Sequence, residues 1–193
     1  MHKPFVLIPL LLSAVTAVPT PSELLPRACT TLAPSAIDIL DASTPSSPNT
    51  GTQFQLERTS SRQNVKISAL TFNNIPAGST GCRLEIEFPP LTRSNEVAHG
   101  ANGAQVWSTD PWEASSPPTW SQQPNKREMV GTYNFPTAQT QAPSHTVIAS
   151  NSCSSTMSWL VELADWQQTE GGVDFQNSVN GIEKTGFMLV FNC

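Results

Sequence analysis

Residues 82–90 read CRLEIEFPP, and the pattern in this stretch decides the fold class. Leu84, Ile86 and Phe88 occupy every second position, with Arg83, Glu85 and Glu87 between them. A period of two belongs to a strand, whose successive side chains point to opposite faces of a sheet. One face is therefore expected in a core and the other, carrying both glutamates, in water. Pro89 and Pro90 then end the strand, because proline has no N–H to give to a ladder.

The same alternation recurs on both sides. Upstream, AIDIL (36–40) sets Ile37 and Ile39 on one face, and TQFQLER (52–58) turns Phe54 and Leu56 inward. VKISALTF (65–72) starts with Val65, Ile67 and Ala69 in phase, then changes parity to Leu70 and Phe72. That change predicts a bulge or a switch of sheet near Ala69. Downstream, AQVWS, VGTYNFP, HTVIAS, MSWLVEL, GVDFQNS and GFMLVFN are further short candidates. No stretch keeps a helical period. The 17 prolines in 193 residues exceed the usual share of roughly 5 per cent, and they fall with Ser, Thr and Asn between the apolar runs. About nine or ten short strands with one wet face each predict an all-β protein. The architecture that fits is a two-sheet antiparallel β-sandwich, disulfide-stabilised, in one domain over residues 29–193.

The chain opens MHKPFVLIPLLLSAVTA, a short polar start, an apolar run from Phe5 to Leu12, and small residues with Val15 and Ala17 at −3 and −1. This is the grammar of a secretory signal peptide over residues 1–17. Its apolar run is shorter than the roughly 20 residues that cross a bilayer. Residues 18–28 read as a short N-terminal tail or pro-segment. The closing GFMLVFNC is too short for a lipid-anchor tail of roughly 10 to 20 residues. A secreted protein, extracellular or held non-covalently at a cell wall, is expected. The formal charge is −5 and the one adjacent basic pair is Lys126–Arg127, which argues against nucleic acid as partner.

Four cysteines, an even number in a secreted chain, imply two disulfides among three connectivities. Cys82–Cys153 with Cys29–Cys193 is favoured: the first ties the start of one strand to the end of another, and the second ties the two ends of the domain. Their wide spacing excludes a local zinc knuckle.

Three segments together carry a resemblance: FNNIPAGSTGCRLEIEFP (72–89), SHTVIASNSCSSTMSWLVEL (144–163) and GGVDFQNSVNGIEKTGFMLVFNC (171–193). In order and spacing they resemble the fungal "ubiquitin 3 binding protein" C-terminal domain family of ascomycetes, with Cys82, Cys153 and Cys193 at that family's cysteine positions. The resemblance covers roughly residues 53–193. It implies a secreted or wall-associated β-sandwich and brings no activity with it. The family's name implies ubiquitin binding, against which the signal peptide and the paired cysteines argue. Cys29 and the tryptophan-bearing loop have no counterpart there.

No metal or other cofactor is expected. His99 and His145 read as solvated loop residues, and Asn95, Glu96 and Asn102 offer oxygens to calcium but are also ordinary turn residues. No Gly-x-Ser-x-Gly nucleophile motif occurs. Glu85 and Glu87, two apart on one strand face, sit roughly 6.5–7 Å apart at Cα, near the range of glycosidase carboxylate pairs. On so clean an alternation they read instead as a wet face with Arg83 as counter-charge. Glu162, Asp165 and Glu170, around Trp166, are read the same way.

The stretch VWSTDPWEASSPPTW (106–120) holds three of the five tryptophans. The loop from about Ser108 to Met129 is long for a compact domain, and its aromatics argue against disorder. Trp107 continues an alternating strand and is expected to pack. Trp112 and Trp120 are the candidate ligand contacts, an indole face matching the C–H face of a sugar ring, with Asp110, Glu113, Gln122, Gln123 and Asn125 to fix hydroxyls. The expected function is a non-enzymatic, secreted β-sandwich that binds polysaccharide at the cell wall or a host surface. The alternatives are a glycan hydrolase or lyase using a carboxylate pair, and an effector that binds a host protein.

Overall fold

A computed structural model describes residues 28–61, 63–181 and 183–193. The signal peptide at 1–17 and the tail at 18–27 lie outside the described residues. Thirteen strands follow one another, all paired antiparallel, and no helix occurs among the described residues. They are β1 (Thr30–Leu32), β2 (Ala36–Asp41), β3 (Thr50–Gly51), β4 (Gln53–Arg58), β5 (Asn64–Phe72), β6 (Cys82–Phe88) and β7 (Ala98–Gly100). After them come β8 (Gly103–Thr109), β9 (Lys126–Asn134), β10 (Ser144–Asn151), β11 (Met157–Leu163), β12 (Gly171–Gln176) and β13 (Gly186–Phe191). All ten expected strands form. Beyond the nine or ten expected, the short β1, β3 and β7 add pairing at the margins.

The smaller sheet runs β1-β13-β6-β10, and the larger runs β7-β12-β4-β5-β11-β8-β9 with β2 on β5 and β3 on β2. Leu70 pairs with both Ile37 and Trp159, and Lys66 with both Asp41 and Glu57. A strand residue has two edges, so β2 takes one edge of β5 while β4 and β11 share the other. Where those two part, backbone carbonyls would lose their ladder partners. Arg58, 4% exposed, fills the fork. Its guanidinium donates to the carbonyls of Leu163 (2.7 Å), Ala164 (2.9 Å) and Gln167, and its Nε to Asn64 Oδ1 at 3.0 Å. The charge is thus held by neutral acceptors rather than by a carboxylate.

The inner faces meet in a core led by phenylalanines. Phe54 and Phe175 of the large sheet stack at 4.9 Å between centroids, Phe187 of the small sheet lies 4.9 Å from Phe54, and Phe88 meets Phe175 edge-on at 5.1 Å. Such pairs contribute about 0.5–1.5 kcal/mol beyond area burial. At one side the edges of the two sheets come close: a Cβ built on Gly131 of β9 would sit 2.4 Å from the Ile148 carbonyl oxygen of β10.

Both favoured disulfides are present. Thr30 pairs with Phe191, which brings the flanking Cys29 and Cys193 to a Cα separation of 4.3 Å. Cys82 opens β6 and is bonded to Cys153 in the turn after β10, at 5.2 Å between Cα atoms.

Three expectations about what the strands bury need correction. β5 has no bulge at Ala69, because its register with β2 and β11 runs unbroken through that position. The parity changes because both faces are buried: Leu70 and Phe72 enter the inter-sheet core, while Ile67 and Ala69 lie under a separate cover on the outer face. Trp107 packs under that same cover, not in the main core, since Ala104 and Val106 take the inward positions of β8. Finally, Glu85 is not wet. It is 3% exposed, with Arg83 Nε 2.8 Å from one carboxylate oxygen and His145 Nε2 2.6 Å from the other.

Candidate functional site

The large sheet carries a covered apolar patch on its outer face. Leu40, Ile67, Ala69 and Leu160 are at most 1% exposed there, and Trp107, Trp112 and Trp120 pack against them. The register sets Asp38, Ala69, Leu160 and Trp107 in one row across β2, β5, β11 and β8. The loop over that row is residues 110–125, shorter than expected because β9 already begins at Lys126. Ser121 N–H donates to the Pro45 carbonyl at 2.8 Å, and Thr119 and Gln122 close a tight turn on each other. At the strand end of the loop the Lys126 ammonium pairs with Glu162 and lies 5.3 Å from the Trp107 ring centroid.

Trp112 is fixed by a polar contact as well as by packing. Its indole Nε1 donates to Asp38 Oδ2 at 3.2 Å, and Thr50 donates its hydroxyl to the other carboxylate oxygen. Asp38 is 1% exposed, in the middle of a strand buried on both faces. Burial pushes its carboxyl above the usual value, while the hydrogen bonds from Thr50 and Trp112 pull it down. The indole is therefore held in one orientation with part of its surface left exposed.

That surface borders a cleft of about 280 Å³, lined by Asp110, Pro111, Trp112, Gln122, Gln123 and Asn125 among others. Five of the expected ligand contacts, Asp110, Trp112, Gln122, Gln123 and Asn125, are thus brought together. The side chains of Gln123 and Asn125 are exposed and free to meet a ligand. Trp120 and Glu113 do not line the cleft: Trp120 is seated on the outer sheet face, and Glu113 is exposed elsewhere on the loop. Asp110 itself pairs with Arg127 across the mouth of the β8–β9 connection.

The other candidate groups are committed elsewhere. Glu85 holds Arg83 and His145, and neither it nor Glu87 borders this cleft. His99 and His145, expected on loops, are on strands: His99 on β7 and His145 on β10. Glu96 accepts the N–H groups of Thr92 and Arg93, each at 2.9 Å, and these bonds hold its carboxyl below the usual value. Asn102 donates to the Phe135 carbonyl. Among the described residues no three His, Cys, Asp or Glu side chains converge as a metal set. Among the described residues Trp166 is the one large aromatic that stands out from the surface, 57% exposed on a turn whose backbone is held by Arg58.

No protein-family model matches the chain, and no curated protein matches it either.

Proposed function

We propose that this is a non-catalytic, glycan-binding domain that acts at a cell wall or host surface, and that it is secreted or wall-associated, as the resemblance to the fungal β-sandwich family implies. The observation that carries the reading is the cleft at Trp112, where a rigidly held indole meets the amides of Gln122, Gln123 and Asn125 and the carboxylate of Asp110. A flat aromatic face beside neutral amides is the ordinary chemistry of sugar recognition: the ring takes the C–H face, and the amides donate to and accept from hydroxyls. Two disulfides support an oxidising compartment. No helix among the described residues is long and apolar enough to cross a membrane.

The test is retention on insoluble chitin, β-glucan and cellulose. Alanine at Trp112 or Trp120 would disturb the sheet cover, so the informative variant is Gln122→Ala with Asn125→Ala, whose side chains are exposed. The parent is expected to be retained on at least one polymer, and the double variant to lose at least tenfold in affinity with its melting temperature unchanged. Retention of the parent on none of the three refutes the reading and points to a protein partner.

A further inference from the structure

The face of β4, β12 and β7 that turns away from the phenylalanine core is polar, and the strand register orders its side chains. Asp41, Lys66, Glu57, Gly172 and His99 stand opposite one another in turn across β2, β5, β4, β12 and β7. Gln55 and Asp174 form the next pair along the same face. Strands lie about 4.8 Å apart, so the row is about 19 Å long. Two clefts, of about 470 and 460 Å³, open on it and meet at Glu57 and Lys66, which line both. Together they make one groove, and none of its lining residues borders the Trp112 cleft.

The polar groups of the groove are positioned by neighbours that leave them accessible. Gly172 has no side chain, and the His99 ring lies where one would stand: a Cβ built there would sit 2.8 Å from the imidazole Cε1. The imidazole thus lies over β12, on the side of the row that leads to Glu57. Gln53 and Gln55 donate their side-chain amides to the two oxygens of Asp174, Gln55 at 2.7 Å. Lys66 pairs with Glu57 at 2.9 Å. His99, Asp174 and Glu170 are nonetheless exposed, and the Glu57 side chain is 46% so. A ligand lying in the groove therefore meets groups already held in place, which lowers the ordering cost of binding.

Charge selects the kind of ligand. Asp41, Glu57, Glu170 and Asp174 bring four carboxylates to the groove, against the Lys66 ammonium and the Arg58 guanidinium, so two negative charges remain. Arg58 is committed to backbone carbonyls in the fork. The hydrogen bond to Glu57, with the charges of Asp41 and Asp174, holds the Lys66 ammonium above its usual value. A second ammonium entering beside Asp174 meets the same field. Next to it stand groups that suit hydroxyls: the Gln55 amide, the His99 imidazole and the hydroxyls of Thr59 and Ser60. A lysine-rich peptide would use the charge alone, whereas a chain of amino sugars uses both. We propose that this groove binds a glycan of amino sugars with free ammonium groups, such as deacetylated chitin, as a site separate from the Trp112 cleft. Exposed ion pairs are weak singly, but one chain along the row reaches Asp174 and Glu170 at one end and Asp41 at the other. The assignment stands apart from the reading of the Trp112 cleft, since the two share no residue.

The experiment is a nuclear magnetic resonance titration of the protein labelled with ¹⁵N and ¹³C, using the hexamers of glucosamine, N-acetylglucosamine and lysine in turn. The glucosamine hexamer is expected to shift the Gln53 and Gln55 side-chain amides and the His99 ring signals saturably, and added salt should weaken the effect. The N-acetylated hexamer, which lacks the ammonium groups, should leave those signals in place. Asp174→Asn and Glu170→Gln should each weaken glucosamine-hexamer binding about fivefold with the melting temperature unchanged, the size of one exposed charge contact. Unchanged binding in both variants overturns the assignment, as does an equal response to the N-acetylated hexamer. If the glucosamine hexamer moves only the Gln122, Gln123 and Asn125 amides, the groove assignment falls while the Trp112 cleft stands. If it moves none of these signals the groove assignment falls alone, because retention on the neutral polymers decides the Trp112 cleft independently. If the lysine hexamer moves the groove signals at equal or lower concentration, the groove reads charge without the sugar, and the glycan assignment falls in favour of a basic peptide.

Discussion

Removing the partners of the Trp112–Asp38 bond singly and together measures how firmly the loop is held on the sheet. The variants are Trp112→Phe, which keeps a ring and loses the donor, Asp38→Val, which suits a strand and loses the acceptor, and the double. At pH 8 the carboxyl is ionised, and a hydrogen bond to a charged group contributes about 1.5–3 kcal/mol. The coupling energy from the cycle should therefore fall in that range. At pH 3 Asp38 is protonated, and the coupling should fall to the roughly 0.5–1.5 kcal/mol of a neutral bond. The total contribution of Asp38 moves the other way. Its folded value is raised above the ordinary 3.8, so the folded state binds the proton more tightly than the unfolded chain does. The stability this gives is fully present below pH 3.8 and is lost as the pH rises through the raised value. An Asp38→Asn variant, which never ionises, should gain on the parent across that window and hold the gain above it. The two trends are compatible, because the cycle isolates the bond while the pH curve reports burial of the charge. Urea denaturation followed by far-ultraviolet circular dichroism is the suitable assay, since Trp112→Phe removes a fluorophore; equal m-values license the comparison. A coupling under about 0.5 kcal/mol at pH 8, the usual scatter for independent sites, would refute the bond as an anchor. Parallel stability curves for parent and Asp38→Asn from pH 3 to 8 would refute the burial of the charge.

Two further outcomes follow from the fold. Arg58→Met should cost more than about 3 kcal/mol in urea denaturation, because the buried carbonyls of Leu163 and Ala164 each lose a charged donor worth about 1.5–3 kcal/mol; Arg58→Lys should recover part of the loss but not all, as one ammonium cannot span the fork. Replacing Cys29 and Cys193 by serine should cost about 5 kcal/mol and replacing Cys82 and Cys153 about 4, the order set by loops of 164 and 71 residues, and thermal denaturation of the two double variants reads the order directly.

What the sequence made legible was whatever has one wet face. Cys82–Phe88, Gln53–Arg58 and Gly171–Gln176 alternate and were read as strands for that reason. The first half of β9, Lys126–Met129, is not legible, because it is exposed throughout and carries no alternation. β1, β3 and β7 are two or three residues long, below the length at which a period shows. The burial of Glu85 is not legible because its parity matches Arg83 and Glu87, and parity says which face a residue is on without saying whether that face is covered. His145 lies on the neighbouring strand, so its carboxylate contact became visible only once β10 was paired with β6.

The tryptophan loop was legible as a segment with a job, but the job is divided differently from its residue types. The parity change at Ala69 and the clustering of Trp107, Trp112 and Trp120 are one fact seen twice. A strand apolar on both faces needs a cover, and Trp107 of β8 with Trp112 and Trp120 of the loop supplies it. Burying a large apolar side chain fully contributes about 1.5–3 kcal/mol, so a partly buried indole already repays its place as an anchor. The capacity for recognition then shifts to what anchoring leaves free: the remaining surface of Trp112 and the polar run Gln122–Asn125 beside it. Gln122, Gln123 and Asn125 are legible as hydroxyl partners by residue type, although Gln and Asn are common in loops. On the glycan-binding reading proposed above, it is their position next to a firmly held ring that would suit them to a ligand.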